Sequence, residues 1–197
     1  MGVQPMTKQL CVYCSSSDRL DPKYYAAAEA FGRAMVSRRW GLVYGGGRTG
    51  LMGALARAVT SAKGRVVGVI PEFMKQKELA YAEADELVTV ATMSERKAIM
   101  ARRADAFVAL PGGWGTLEEI MEVATLRQLN VLGKPCVLFN QDGFYDDLLR
   151  LFERMIAEQF NKPSTRELVG VASSVDGVLG LLQRAPAPAE TKWFETR

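Results

Sequence analysis

Short apolar runs alternate with longer amphipathic ones along nearly the whole chain, and this constrains the fold more than any other feature. "KQLCVYC" (8–14), "GLVYG" (41–45), "GRVVGVI" (64–70), "ELVTV" (86–90), "AFVAL" (106–110), "KPCVLFN" (134–140) and a stretch near "ELVGVA" (167–172) read as strands. Pro71 closes the third of them. Between and after them, 22–39, 50–63, 93–104, 116–130, 145–160 and 174–184 read as helices. In 145–160 the apolar face is Leu148, Leu149, Phe152, Met155 and Ile156. Repeated strand–helix alternation predicts an α/β fold, a doubly wound, mostly parallel sheet with helices on both faces. Residues 1–184 fit a single domain of ordinary size. The Pro/Ala-rich stretch 185–197 reads as a flexible tail.

Composition narrows the chemistry. A hydrophobic share of 48% with 24% charged residues is that of a soluble globular protein. The net charge is +3 with no Lys/Arg-rich block, so nucleic-acid binding gets no support. No apolar run approaches the ~20 residues of a membrane span. Three cysteines suit a reduced, cytoplasmic protein. Cys11 and Cys14 have a CxxC spacing, but on a strand they point to opposite faces and read as buried structural thiols. The chain has no histidine. His bases, Ser-His-Asp and Cys-His catalysis and His-ligated zinc are therefore excluded, and three cysteines cannot form a Cys₄ site.

In doubly wound sheets ligands bind beyond the carboxyl ends of the strands, so the loops that follow strands are the place to look. Three of these are small and polar: "CSSSD" (14–18), "YGGGRTGLMG" (44–53) and "LPGGWGT" (110–116). Glycines let a ligand approach the backbone, and a following helix supplies unsatisfied N–H groups and a partial positive charge. Together these favour a phosphate. Any one loop could be no more than a tight turn; three at equivalent positions point to a nucleotide or sugar-phosphate ligand. Neither Gly-rich loop is a Walker or GxGxxG motif. The candidate binding residues are Ser15 in the first loop, Gly45, Gly46, Gly47 and Thr49 in the second, Gly112, Gly113, Trp114, Gly115 and Thr116 in the third, and Leu117 and Glu118 just after it.

Two carboxylates follow the third loop. Thr116-x-x-Glu119 fits a capping box, in which Glu119 would reach back to the helix N-terminus. Alternatively Glu119 faces the loop mouth and a bound sugar. Glu118 lies about 100° away around the helix, so only one of the two is expected to face the ligand. "MSERKAIMARR" places Arg96 and Lys97 near another helix start, where the dipole disfavours cations, so an anion should compensate them. Arg102 and Arg103 read as a solvated face.

"PGGWGTLEE" matches the PGGxGTxxE signature of the LONELY GUY family of cytokinin riboside 5′-monophosphate phosphoribohydrolases, whose members have often been labelled possible lysine decarboxylases. The chain also resembles that family through "LCVYCSSS", "YGGGRTGLMGALA", "GVIPEFMKQKEL", "MSERKA" and "PCVLFNQDGFYDDLL". The resemblance implies a Rossmann-like fold, a homodimer, and hydrolysis of the N-glycosidic bond of N6-modified adenosine monophosphates, with no metal or organic cofactor. It implies that Arg96 and Glu119 are the catalytic pair and that the PGGxGT backbone and Thr116 hold the 5′-phosphate. Lys97, Glu78, Met93 and Thr125 would lie around the nucleotide. Ser94 stands where the family usually has His, a departure that bears on substrate preference. A decarboxylase would usually need pyridoxal phosphate on a lysine, and no lysine lies in an apolar loop that invites one.

Overall fold

A computed structural model describes residues 8–75 and 79–183. Glu78 and the tail from 185 lie outside the described residues. The strands are β1 (Lys8–Tyr13), β2 (Trp40–Tyr44), β3 (Val66–Pro71), β4 (Glu86–Val90), β5 (Ala106–Ala109), β6 (Cys136–Phe139) and β7 (Gly170–Ala172). They form one seven-stranded sheet in the order β4-β3-β2-β1-β5-β6-β7. Every pairing between neighbours is parallel. The helices are α1 (Pro22–Ser37), α2 (Gly50–Ser61), a single turn α3 (Glu72–Lys75), α4 (Met93–Arg103), α5 (Trp114–Gln128), α6 (Asp146–Ala157) and α7 (Val175–Leu181).

Strand alternation divides the core between the two faces of the sheet. From β1 and the residue after it, Leu10, Val12 and Cys14 pack with Phe31 and Met35 of α1, Leu51 and Leu55 of α2 and Val178 of α7. Cys11 and Tyr13 point the other way, against Met100 of α4 and Ile120 and Val123 of α5. The two CxxC thiols thus lie in opposite cores, and both are buried and unpaired. Among the described residues no helix is long and apolar enough to cross a membrane.

This winding creates one topological switch. β1 has β2 on one side and β5 on the other, with Cys11 opposite Val43 and Tyr13 opposite Ala109. The chain works outward from β1 to β4, then returns to β5 and works outward to β7. Crossovers on the two sides leave in opposite directions, which opens a crevice beyond the carboxyl ends of β1 and β5.

Helix ends differ from the expected ones in one place that matters. α5 begins at Trp114, and Gly113, in extended conformation, is its N-cap without any side-chain cap. Thr116 therefore lies inside the first turn and the expected capping box with Glu119 does not form. The capping box is instead on α4, where Thr92 Oγ1 accepts from the Glu95 N–H at 3.1 Å and Glu95 accepts from the Thr92 N–H at 3.3 Å. α6 is amphipathic as expected, but none of its residues is fully buried.

Candidate active site

The loop after β5 leaves the sheet at the switch point. The Leu110 N–H still donates to the Tyr13 carbonyl at 2.9 Å, extending the β1–β5 ladder by one bond. Pro111 and Gly112 then turn the chain, and the first helical bond of α5 runs from the Leu117 N–H to the Gly113 carbonyl at 3.0 Å. A Cβ on Gly112 would lie 2.1 Å from Thr116 Oγ1, so only glycine lets the buried Thr116 side chain tuck beneath the turn. A Cβ at Gly113 or Gly115 would meet nothing within 4 Å. These two glycines front open space, and Trp114 between them is 89% exposed. The uncapped first turn presents its N–H groups to that space. Leu117 turns inward and packs against the core.

Behind the turn sits a buried ion pair. Arg96 Nη1 lies 3.4 Å from Glu119 Oε1, and the two side chains are only 8% and 10% exposed. Arg96 extends from α4 across the ends of β2 and β3. Its Nε donates to the Val69 carbonyl at 3.1 Å, and Nη1 approaches Met93 Sδ at 3.9 Å. A Cβ on Gly45 would fall 1.7 Å from Nη2, so the guanidinium occupies the place of the missing side chain. Glu119 Oε1 is buried without a hydrogen-bond partner among the described residues. Its contact with Arg96 is therefore electrostatic, not a hydrogen bond. Burial pushes the Glu119 carboxyl up to about 7, with the Arg96 charge opposing the rise.

Lys97 separates the two adjacent carboxylates. It pairs with Glu118 and, at 3.0 Å, with Glu122. Hydrogen bonding to Glu118 raises the Lys97 ammonium above its ordinary range. Glu118 is thus held on the exposed side of α5 while Glu119 is buried against Arg96. Both cations of the α4 first turn have the anionic partners that the helix dipole demands. Arg103 is not merely solvated, since it pairs with Glu86 at 2.7 Å.

The other two polar loops are occupied by the protein itself. The Gly50 N–H at the start of α2 donates to Asp18 at 2.7 Å, and the Leu51 and Met52 N–H groups donate to the Ser15 carbonyl. Gly46 has φ +74°, and a Cβ there would lie 3.1 Å from Ile70 Cβ. The Gly46 carbonyl accepts from Tyr81, and Gly47 bridges to Ala80. Gly45–Gly47 are buried, and Thr49 caps α2 without a side-chain bond. Of the three loops, the one after β5 keeps an open helix N-terminus, while the second supplies the floor under Arg96. Thr125 lies six residues beyond Glu119, about 9 Å along α5. It donates to the Met121 carbonyl and lines a groove between α5 and α6. Two supports had no signal in the sequence: Asp18 holding the start of α2, and the Tyr145 hydroxyl donating to the Leu110 carbonyl at 2.7 Å.

Residues 52–182 match a family model described as possible lysine decarboxylase. The chain is 47% identical to probable cytokinin riboside 5′-monophosphate phosphoribohydrolase LOGL9 of Oryza sativa subsp. japonica, over 84% of this chain and 73% of that one. It is 46% identical to cytokinin riboside 5′-monophosphate phosphoribohydrolase LOG7 of Arabidopsis thaliana, over 82% and 75%. The chain belongs to the cytokinin riboside 5′-monophosphate phosphoribohydrolase family. In this chain the "PGGWGTLEE" stretch forms the loop and first turns of α5 that carry the open N-terminus and Glu119. Among solved structures, the molybdenum cofactor carrier protein from Chlamydomonas reinhardtii superimposes with a TM-score of 0.69 at 20% identity, covering 90% of this chain and 99% of that one. The molybdenum cofactor binding protein from Rippkaea orientalis gives 0.67 at 21%, covering 89% and 96%. At that identity these two share the fold with this family member and nothing further is carried across.

Proposed function

We infer that the protein hydrolyses the N-glycosidic bond of adenosine 5′-monophosphates, N6-modified ones included, releasing the free base and ribose 5-phosphate. The observation that carries this reading is the buried Arg96–Glu119 pair lying directly behind an uncapped, glycine-lined helix N-terminus at the sheet's switch point. The α5 N-terminus suits the 5′-phosphate, with the N–H groups of its first turn as donors and Thr116 beneath them. Glu119, one helical turn further, then faces the ribose.

Cleavage builds positive charge on the sugar in an oxocarbenium-like transition state. The Glu119 carboxylate stabilises that charge and takes a proton from the attacking water; the departing base takes up one proton, and release of the proton held by Glu119 closes the balance. A base with a pKa near the working pH is the effective kind, and burial has moved Glu119 there. Arg96 cannot readily give up a proton, so it acts by position and charge, holding Glu119 and the ribose hydroxyls. Met93 and Lys97 border this pair and would lie around the nucleotide. Lys97 is engaged by two carboxylates, which disfavours it as a Schiff-base lysine.

The dimer implied by the resemblance has support in the groove between α5 and α6. It encloses about 890 Å³ and is lined by Met121, Ala124, Leu149, Phe152, Met155 and Ile156. These apolar side chains, those of α6 not fully buried, are the surface a second copy would cover. Light scattering on the wild type and on Met155→Glu tests this, with a dimer and a monomer expected.

The activity is tested by incubating the protein with AMP and with isopentenyladenosine monophosphate and measuring free base and ribose 5-phosphate. No release from either would sink the reading. Tight binding without release would make the protein a nucleotide-binding module instead.

A further inference from the structure

We propose that Tyr145 is a positioning residue for the phosphate cradle, acting through its hydroxyl on the backbone of Leu110. The proposal rests on the reading that the loop after β5 takes the 5′-phosphate.

Leu110 is the last residue whose backbone the sheet controls before the cradle. Its N–H is held by the Tyr13 carbonyl at 2.9 Å, and its carbonyl accepts from the Tyr145 hydroxyl at 2.7 Å. Pro111 follows and has no N–H to donate. The peptide group that leads into Pro111 and Gly112 is therefore oriented by one side chain that comes from outside the loop. Among the described residues the turn beyond it has no anchor of comparable kind, because Gly113 caps α5 without a side-chain bond and Gly113 and Gly115 front open space.

Tyr145 is itself rigidly placed. It is 2% exposed and stands at the start of α6, beyond the carboxyl end of β6. Its backbone N–H donates to Asn140 Oδ1 at 2.7 Å, and the Asn140 side-chain amide donates to Asp146 at 2.7 Å. The Asn140 backbone N–H donates to the Ala172 carbonyl at 2.9 Å, tying this turn to the edge strand. Phe144 packs edge-on against the Tyr145 ring with centroids 4.9 Å apart. A phenol fixed at both ends, with its one polar atom spent on the residue before the cradle, does more than fill the core. A phenylalanine would fill the same space.

The position of the cradle governs how the phosphate is held, and the phosphate is bound equally in ground and transition states. Loss of the hydroxyl should therefore appear in affinity more than in turnover. Tyr145→Phe is expected to raise KM for AMP about fivefold, the usual effect of one lost hydrogen bond, with kcat within about twofold. The inhibition constant for ribose 5-phosphate should rise by the same factor. Phe144→Leu loosens the ring's packing but keeps the hydroxyl, and is expected to raise KM less than Tyr145→Phe does. Asn140→Ala removes the acceptor that sets the Tyr145 backbone and should give the same split, smaller; it serves if Tyr145→Phe does not fold. Unchanged KM and unchanged ribose 5-phosphate inhibition in Tyr145→Phe and Asn140→Ala, beside an active wild type, overturn the role of Tyr145 alone. So does a fall in kcat at constant KM. A wild type that neither cleaves AMP nor binds ribose 5-phosphate overturns the phosphate reading itself, and this proposal with it.

Discussion

Gly45→Ala tests whether the floor under Arg96 matters to catalysis. An added Cβ would sit 1.7 Å from Arg96 Nη2 and 2.9 Å from Cζ. Ordinary contact needs about 3.5 Å, so the guanidinium must retreat by about 2 Å. The retreat would lengthen the 3.4 Å contact with Glu119 to about 5.4 Å if it runs along the line of the pair. With an effective dielectric near 20, the attraction falls from about 5 to about 3 kcal/mol. A loss of about 2 kcal/mol corresponds to a drop of roughly twentyfold to thirtyfold in kcat/KM if the pair acts in the transition state. The same retreat weakens the larger of the two charges, Arg96 and Lys97, that oppose the rise of the Glu119 carboxyl. The ascending limb of the pH–rate profile, near pH 7 in the wild type, should then move to higher pH. Initial rates of base release from AMP between about pH 5 and pH 9 read both effects. A variant with wild-type kcat/KM and an unmoved limb would refute the reasoning, since Arg96 would then be free to relocate without consequence.

Glu119→Gln should lower kcat by at least a hundredfold, the scale of a lost general base, while ribose 5-phosphate binding by calorimetry stays near wild type. The same variant should be more stable than the wild type at high pH. The folded-state pKa of Glu119 is raised, so its ionisation costs stability as pH rises from the unfolded value near 4.3 through about 7, reaching about 4 kcal/mol above that. Melting temperatures of the two proteins should coincide near pH 4 and diverge by pH 8. Gly112→Ala should raise KM for AMP and weaken ribose 5-phosphate inhibition, because its Cβ would displace the Thr116 side chain that lies 2.1 Å away. Gly180→Ala, on the exposed side of α7 where a Cβ meets nothing within 4 Å, should stabilise the fold by about 0.5–1 kcal/mol in chemical denaturation.

The parallel sheet was legible because strands buried on both faces leave short, continuous apolar runs, as in "GLVYG" and "AFVAL"; the strand order, which puts β1 between β2 and β5, was not. Helix starts were less so. Thr116-x-x-Glu119 and Thr92-x-x-Glu95 both fit the capping pattern, and only the second forms one. The difference lies in the preceding residues. Gly113 adopts the extended N-cap conformation, which puts Trp114 and Gly115 inside the helix and leaves Thr116 a turn too late to cap it. The burial of Glu119 against Arg96 follows from how α4 and α5 pack on the sheet, and no spacing along the chain encodes it; the helix dipole called for an anion at Arg96, and the resemblance named Glu119. The role of Gly45 was hidden for a similar reason, because a glycine that makes room for a distant arginine looks the same in sequence as one that makes a turn.

The glycines and carboxylates of "PGGWGTLEE" pose an apparent conflict, an anion cradle beside two negative charges. The structure separates them by rotation about one helix. Glu118 is turned outward and neutralised by Lys97, so it adds little repulsion at the cradle. Glu119 is turned inward, where burial raises its pKa to about 7 and Arg96 checks the rise. A carboxyl with an ordinary pKa would be fully ionised but too weak a base to take a proton from water. A buried carboxyl without Arg96 would stay protonated and could not stabilise a sugar cation. In the proposed reaction the pair of a desolvated carboxyl and a fixed guanidinium would meet both demands, in a chain that has no histidine to offer instead.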